Sequence, residues 1–558
     1  MKEFLVQPLR DALQSLGTAA EIQFEKPADE KFGDLSTNVA MQLARDLKKN
    51  PRQIAADIVS KLVLDKSVVE KVGVAGAGFI NFYFAKGASL VAAKEILLKG
   101  ATYGEGTVGA GQRAIVEYVS ANPTGPLTVG RGRGAVLGDT IANLLAAQGY
   151  AVTREYYFNN AGRQMRILAD SVRMRYLELC GDEVSYPEDY YQGDYIKDIA
   201  RNIFETQGAS LRYSQELTLF KETAEAEIFE SIKQTLARLG IAHDAFFNEN
   251  TLYEIGESGT SRLDDVISRL REKGYIEERE GAVWFKTSLL GKKKVEDKIE
   301  IGVDTVLVKS TGEPSYRLPD IAYHINKFAR DFDLMVNVFG ADHIDEYPDV
   351  LRALKVLGYD ETKVKVAINQ FVTTTVNGEV VKMSTRKGNA DTLDALIDDV
   401  GADATRFFFI MRNKETHLNF DLELAKKQTP DNPVFYLQYA HARISGILRL
   451  AVSEKNFVAS ANEYELLTSL TVKEEIDLAK ILLEFPAAIE RAALTLEPNR
   501  LITYLNGVAE VFHKFYHECR IIGEPDAVMK PRLYLILAAR QVFQNGFKIL
   551  GISAPEKM

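Results

Sequence analysis

The chain has 558 residues, 46% hydrophobic and 26% charged, with a formal net charge of −10; such a length predicts two to four domains rather than one core. The acidic balance excludes a generic, charge-driven polyanion binder, while leaving room for a local basic face that meets phosphates. Cys180 and Cys519 stand far apart in no CxxC or Cys/His cluster, which excludes a disulfide framework and a structural zinc site, and no apolar run is long enough to span a bilayer.

The opening MKEFLVQPLRDALQSLG reads as an amphipathic helix through Phe4, Leu5, Leu9, Leu13 and Leu16, with no signal-peptide pattern, so a cytoplasmic protein is expected. FGDLSTNVAMQLARDL is a turn leading into a helix with Val39, Met41, Leu43 and Leu47. VGVAGAGFINFYFA gives a short alternating strand behind a glycine-rich turn. These segments predict an N-terminal α/β domain over residues 1–107, with a linker in the glycine-rich stretch 102–112.

A domain over 108–430 follows. It begins with the strand RAIVEYVS and the loop ANPTGPLTVGRGRG, Ala121 to Gly134, and continues into a helix from about Val136 to Gln148 that ends at Gly149 as the C′ glycine. A second strand, AVTREYYF, completes a βαβ unit and so starts a parallel sheet. Residues from about 163 to 240 read as a helical insertion, after which sheet-like segments return at AVWFKT, DTVLVKS, LMVNVFG and KVAINQFVTTTV. Residues 431–558 are helical almost throughout, with apolar spacing of three and four, and predict a helical bundle.

Glycines ahead of a helix suit a phosphate cradle, because backbone N–H groups and the helix dipole converge there. Gly130-x-Gly132-x-x-Ala135, with Glu155 about twenty residues on, superficially matches a dinucleotide fingerprint. Its context does not fit: nine residues with two prolines separate the turn from its strand. A glycine turn serving only helix–sheet packing is the other reading of this segment alone. A second segment, FVTTTVNGEVVKMSTRKGN, reads as a hairpin turning at Asn377-Gly378 and running into Lys382–Gly388. Its cations suit a clamp for a polyphosphate, where they would offset charge building on pyrophosphate.

Together the two segments resemble the nucleotide signatures of class I aminoacyl-tRNA synthetases, the His-x-Gly-His loop and the Lys-Met-Ser-Lys-Ser loop. In detail the chain resembles the arginyl-tRNA synthetase family. The matching stretches are VEYVSANPTGPL, REYYFNNAGRQM, VKMSTRKGN with DTLDALIDDVGADATRFFF, FYLQYAHARI and the terminal LGISAPEKM, along with GDLSTNVAM and GFINFYF in the N-terminal domain. The resemblance covers nearly the whole chain, in order. It implies an α/β catalytic domain on a nucleotide-binding, Rossmann-like parallel sheet, flanked by the N-terminal α/β domain and a C-terminal anticodon-binding bundle. The family's short Asp-Ala-Leu-Arg element is not spelled out; LILAARQ is the nearest stretch.

The implied reaction activates L-arginine with ATP to arginyl-adenylate and passes the arginyl group to the 3′ end of tRNA(Arg). By resemblance, Thr128, Gly130, Arg131, Lys382, Ser384 and Arg386 would act on the nucleotide. Ala121, Asn122, Pro123, Thr124, Gly125, Pro126, Leu127, Val129 and Met383 would complete the ATP motif. An arginine substrate needs carboxylates for its guanidinium. Tyr316 and Asp320, four apart and so on one helical face, match the family's side-chain contacts. Glu249 falls where the family places a second carboxylate, Glu117 and Asn122 match positions near the substrate's polar end, and Asp342 and His343 follow a later strand. On the C-terminal helices, Tyr436, Tyr439, His441 and Arg443 set aromatic rings beside cations, a mixture that suits RNA bases and equally a helix core. ATP would bring Mg²⁺; no protein-held metal, organic cofactor or membrane partner is expected, and a monomer is.

Two departures bear on activity. Thr128 and Arg131 replace the first signature's histidines, and Thr385 replaces the second signature's second lysine, although Arg386 and Lys387 follow. A catalytically silent tRNA- or arginine-binding regulator is therefore the alternative, with a nicotinamide oxidoreductase a distant third. Chemistry favours the enzyme. Adenylate formation relays no proton; its cost is charge on the α-phosphate and pyrophosphate, which hydrogen-bond donors and fixed positive charge meet. Thr128 can donate one hydrogen bond and Arg131 carries a permanent charge.

Overall fold

The computed structural model describes the chain except residues 2, 26, 28, 86, 161, 258, 296, 297, 302, 377 and 382–391; the side chains of 3, 30, 292–295, 298–301 and 342 are likewise outside the description. An antiparallel sheet near the N-terminus pairs Phe24–Glu25, Leu35–Thr37, Phe79–Phe84 and Val69–Ala75 in that order. The glycine-rich turn thus joins two strands of a hairpin, so the single strand read there is one arm of it. Helices Glu3–Ser15, Val39–Leu47 and Pro51–Lys61 lay Leu5, Leu9, Leu43, Ile54 and Ile58 against Ile80 and Phe82, a core of its own.

That core closes at Ala88. The next helix, Ala88–Lys99, lies within the sequence-derived range 1–107, yet its Leu90, Ala93 and Ile96 join the core shared with the C-terminal helices. The glycine-rich stretch after it is pinned rather than free. Tyr103 stacks on Phe485 at 6.0 Å, and Asn545 Nδ2 donates to the carbonyls of Gly100 at 2.9 Å and Tyr103 at 2.8 Å. Gly104, at φ +100°, lies where a Cβ would meet the Phe485 ring at 2.6 Å. Here glycine permits close approach as well as a left-handed backbone.

The central sheet has five parallel strands, ordered Val364–Asn369, Leu334–Gly340, Arg113–Glu117, Ala151–Phe158, Ala245–Asn248. Numbered in chain order this is 5-4-1-2-3, a doubly wound sheet whose direction reverses between the first strand and Leu334–Gly340. Ligands of such sheets bind beyond the strand C-termini at that reversal. Register places Asn337, Glu117 and Glu155 side by side across three strands. Helices Gly162–Leu179, Asp194–Gln207 and Thr218–Arg238 form the crossover between the Ala151 and Ala245 strands, in the stretch read from sequence as a helical insertion. Strands Ile276–Arg279, Ala282–Phe285 and Thr305–Val308 build a separate antiparallel sheet instead of extending the main one. Val372–Val376 turns into Glu379–Val380 and also runs parallel to Leu418–Asp421.

The helix after the first loop spans Val129–Ala147, seven residues earlier than its apolar pattern indicates. At two of its glycines neighbours occupy the space a side chain would fill. A Cβ on Gly132 would meet Leu393 at 2.6 Å, and one on Gly138 would meet Tyr118 at 2.3 Å. Packing outweighs the roughly 1 kcal/mol helix penalty of each glycine. Gly138→Ala is therefore expected to destabilise the fold by about 1–3 kcal/mol through overpacking, read as a lower urea midpoint. Gly130→Ala, with no atom within 4 Å of its Cβ, is the matched contrast and should raise the midpoint slightly, because it removes the glycine penalty without a clash.

Helices Pro433–Lys455, Lys473–Leu482, Phe485–Thr495, Asn499–Glu518 and Asp526–Leu550 form the C-terminal bundle, whose core is continuous with that of the catalytic sheet. Buried Arg406 fastens the join. It donates to Asp139 Oδ2 at 2.6 Å on the first-loop helix, to the Leu239 carbonyl at 2.7 Å and to the Leu550 carbonyl at 3.0 Å.

Candidate active site

The first strand ends in two left-handed non-glycine residues, Val119 at φ +69° and Ser120 at φ +42°. A β-branched residue in that region costs about 1–3 kcal/mol, a strain that persists only where surroundings enforce it. Here Ser120 Oγ donates to Glu117 Oε1 at 3.0 Å and accepts from Tyr157 N–H at 3.2 Å. The loop beyond is held by its backbone. Tyr156 O–H donates to the Ala121 carbonyl and Tyr195 O–H to the Thr124 carbonyl, both at 2.7 Å, and Asn122 Nδ2 donates to Gln164 Oε1 at 2.5 Å. Ala121, Pro123, Leu127 and Val129 are buried, with Thr124, Gly125 and Pro126 half-buried. This is a firm wall rather than a bare glycine turn.

Thr128 caps the helix, its hydroxyl oxygen accepting from Arg131 N–H at 3.4 Å, which leaves the hydroxyl hydrogen free to donate. Thr128, Gly130 and Arg131 are exposed together at the helix N-terminus, where the dipole favours anions. Arg133, two residues on, points the other way. It is buried and donates to the carbonyls of Phe409, Gln370, Thr416 and Asn413, and burial lowers it to about 10.

Lys382, Met383, Ser384 and Arg386 lie outside the described residues. Their flanks do not. Val381 N–H donates to the Thr374 carbonyl at 3.0 Å, Leu393 N–H donates to the Leu127 carbonyl at 2.7 Å, and Thr392 bridges Thr128. The segment that follows the second signature is thus anchored, through Thr392 and Leu393, beside the cap residue of the first.

At the sheet's reversal point a cleft is lined by Asp320, His324, Asn337, Phe339, His343 and Glu346, among others. Helix Arg317–Ala329 lies over the row Asn337, Glu117, Glu155 and supplies Asp320, Tyr323, His324 and Lys327 from one face. Lys327 Nζ sits 2.6 Å from Glu117 Oε2, while Arg330 grips Glu155 as a fork, with Nη2 to Oε1 at 2.8 Å, and Tyr323 O–H donates to the same carboxylate at 2.6 Å. Glu117 and Glu155 therefore have internal cations. Asp320 and Glu249 have none: among the described residues no lysine or arginine pairs with either. Burial, then the neighbouring Glu117 charge, pushes Asp320 up to about 8, with His343 opposing. Burial likewise raises Glu249, which accepts from Tyr253 O–H at 3.0 Å.

Tyr316 stands at the N-cap of that helix, one turn before Asp320 and 62% exposed. His343 closes the far side, 3.4 Å from Glu346 and ring-to-ring with Phe339 at 5.3 Å. Asp342 occupies the same short turn, Ala341–His343, with its side chain outside the description. Sequence reasoning missed Ser120, His324, Lys327 and Asn337. The signal lay in SYRLPDIAYHINKFAR, where Asp320, His324 and Lys327 recur at helical spacing.

On the bundle, Arg443 lies over the rings of Tyr439 at 4.6 Å and Tyr516 at 5.0 Å, and Tyr436 meets His513 at 5.2 Å. His441 departs from the expected RNA-facing set. It is fully buried, its Nδ1 bonded to the Pro555 carbonyl at 2.9 Å, because its face of the helix packs under the C-terminal tail.

Three family models match in succession: the arginyl tRNA synthetase N terminal domain over residues 3–84, the catalytic domain of class I (R) tRNA synthetases over 92–433, and the DALR anticodon binding domain over 437–558. The chain is 57% identical over 560 residues to the arginine–tRNA ligase of Chlorobium limicola and 59% over 560 residues to that of Chlorobaculum tepidum, each covering 100% of both chains. A solved arginyl-tRNA synthetase of Thermus thermophilus is 21% identical, with a TM-score of 0.73 and 100% of both chains covered, a likeness of fold.

Proposed function

The chain belongs to the class I arginyl-tRNA synthetase family, and from that premise we propose how its residues carry out the ligation of arginine to tRNA. The substrates are ATP, arginine and tRNA. A carboxylate oxygen of arginine attacks the α-phosphorus of ATP, the bond to pyrophosphate breaks, and arginyl-adenylate forms. A ribose hydroxyl at the 3′ end of tRNA(Arg) then attacks the arginyl carbonyl, AMP leaves with the bonding pair, and the hydroxyl proton is released.

One observation supports the arginine assignment above the rest: among the described residues two of the carboxylates at this site, Asp320 and Glu249, pair with no lysine or arginine, while Glu117 and Glu155 each pair with one. A guanidinium supplies the missing charge in a shape that matches carboxylates. In this reading Asp320 and Glu249 take the guanidinium and Tyr316 flanks it. Glu117 and Asn122 meet the α-ammonium end, and Asp342 and His343 stand near the ammonium or ribose. The wall from Ala121 to Val129 seats ATP, which brings Mg²⁺ as part of the substrate. Thr128, Arg131 and the helix N-terminus stabilise charge on the α-phosphate, and Lys382, Ser384 and Arg386, beside Met383, stabilise departing pyrophosphate. Among the described residues no group of three or more His, Cys, Asp or Glu side chains is placed to hold a metal.

Tyr436, Tyr439 and Arg443 offer a stacking face to tRNA bases, backed by buried His441. We assign residues 1–107 and 431–558 to tRNA contact and 108–430 to catalysis, in a cytoplasmic monomer. Among the described residues no helix is long and apolar enough to cross a membrane.

The test is aminoacylation by purified protein with ATP, total tRNA and each amino acid in turn. Arginyl-tRNA alone is the expected product; intact tRNA binding without any aminoacyl-tRNA would revive the silent regulator.

The charge state of Asp320 gives the reaction a pH signature. Guanidinium binding needs the ionised carboxylate, which the free cleft holds back until about pH 8. The KM for arginine should fall close to tenfold per pH unit as pH rises toward 8, then level off, while the KM for ATP stays flat. Pyrophosphate exchange across that range measures both.

A further inference from the structure

Lys327 is 0% exposed, and its ammonium donors have three recipients: Glu117 Oε2 at 2.6 Å, Asn337 Oδ1 at 2.7 Å and the face of Tyr323 at 4.2 Å to the centroid. The direction of the line onward is fixed by chemistry. His324 Nδ1 lies 2.7 Å from the Asp320 carbonyl, which can only accept, so Nδ1 carries the proton. Nε2 then accepts from Asn337 Nδ2 at 2.8 Å, leaving Asn337 Oδ1 for Lys327. Burial, reinforced by Lys327, pushes His324 down to about 3, so it stays neutral. At the other end Ser120 holds the second oxygen of Glu117. One continuous line thus runs from the backbone of Asp320 to the strained turn after Glu117, and no donor in it faces a donor.

A plain structural ion pair would account for Lys327 and Glu117 alone. It would not account for the independent grip on the other carboxylate oxygen, nor for compensation of Glu117 while Asp320, on the same helix as Lys327, has no lysine or arginine among the described residues. We propose that Lys327 is a positioning residue for arginine binding: it orients and charge-compensates Glu117 as the acceptor for the α-ammonium, and so confines uncompensated negative charge to the guanidinium end of the cleft. The cleft then reads arginine end for end. This rests on the assignment of Glu117 and Asp320 to opposite ends of the substrate.

Lys327→Met keeps a chain of similar length without donors. Its KM for arginine should rise about ten- to a hundredfold, the effect of losing an oriented charge-assisted hydrogen bond, with kcat at saturating arginine and the KM for ATP within about twofold. A merely structural pair would instead lower the active fraction and leave both KM values in place; that result, or an unchanged arginine KM, overturns the proposal. Should Lys327→Met fail to fold, the double variant Glu117→Gln/Lys327→Met decides, because it leaves neither buried charge unpaired. It should match the arginine KM of Glu117→Gln alone, since Lys327 acts through Glu117. A double variant with the parent's KM, or one about tenfold worse than Glu117→Gln, overturns the proposal. Failure here leaves arginyl-tRNA formation by the parent protein intact, whereas failure of the functional reading removes it.

Discussion

Asp320→Asn is expected to make the protein more stable and nearly unable to use arginine. The side chain is isosteric, so the cleft keeps its shape, but the carboxylate that answers the guanidinium is gone. A charge-assisted fork is worth roughly 3–5 kcal/mol when one partner is removed from a desolvated pair, so kcat/KM for arginine should drop by roughly two hundred- to five thousandfold. The stability effect has the opposite sign. In the free protein the folded-state value of Asp320, about 8, lies above the unfolded one. The folded chain therefore binds that proton more tightly, and the stability it confers is present at acid pH and lost as pH rises through about 8. Asparagine has no charge to bury, so the Tm advantage of the variant should widen from acid pH toward pH 8. Calorimetry across that range, set beside pyrophosphate exchange, measures both. A variant that loses stability and activity together would place Asp320 in the scaffold instead of the pocket. The slope of the arginine KM with pH should vanish in the same variant.

Arg131→Ala should slow adenylate formation by tens- to thousands-fold while leaving the fold alone. Its guanidinium is exposed and, among the described residues, makes no hydrogen bond, so a stability change beyond about 0.5 kcal/mol is not expected. The kinetic loss follows from the roughly 2.7–4 kcal/mol that one oxyanion donor contributes. Arg131→Lys should recover part of it, keeping charge but losing the planar fork. Single-turnover formation of arginyl-adenylate, separated from transfer to tRNA, measures the step directly. An unchanged rate would remove Arg131 from the mechanism and leave Thr128 and the helix N-terminus to do the work. Arg133→Ala is the contrast. It would orphan four carbonyls and unseat segments on both sides of the second signature, so its loss of activity should track loss of folded protein.

Much of the architecture was legible because it is written in local patterns. Strand, loop, helix and strand in the first forty residues of the catalytic domain announce a parallel sheet, and the terminal run of three-and-four spacing announces the bundle. The helix start was misplaced because Gly130, Gly132, Gly134 and Gly138 argue against a helix locally. For Gly132 and Gly138 the reason is a neighbour, Leu393 and Tyr118, invisible to any local window. The glycine-rich stretch 102–112 reads as a linker for the same cause: Gly104 and Gly109 lie against Phe485 and Tyr150, partners distant in the chain. His441 failed as an RNA contact because helical spacing finds a face without saying what covers it, and the covering residue is Pro555.

The sequence by itself determined the order of the motifs, the pairing of a glycine-rich cap with a Lys-Met-Ser segment, and hence the family and its reaction. Only the tertiary structure decided which of two arginines in Gly-Arg-Gly-Arg faces the ligand. Positions 131 and 133 are alike in composition and context, and periodicity separates their faces without naming the inner one. That choice was made by Phe409, Gln370, Asn413 and Thr416, whose carbonyls converge on Arg133 from far along the chain. The charge balance of the cleft was likewise decided by folding: Lys327 and Arg330 reach Glu117 and Glu155 only once the helix lies across the sheet. Electrostatic pairing is a property of distance and burial, and both are set by contacts that no local stretch of sequence contains.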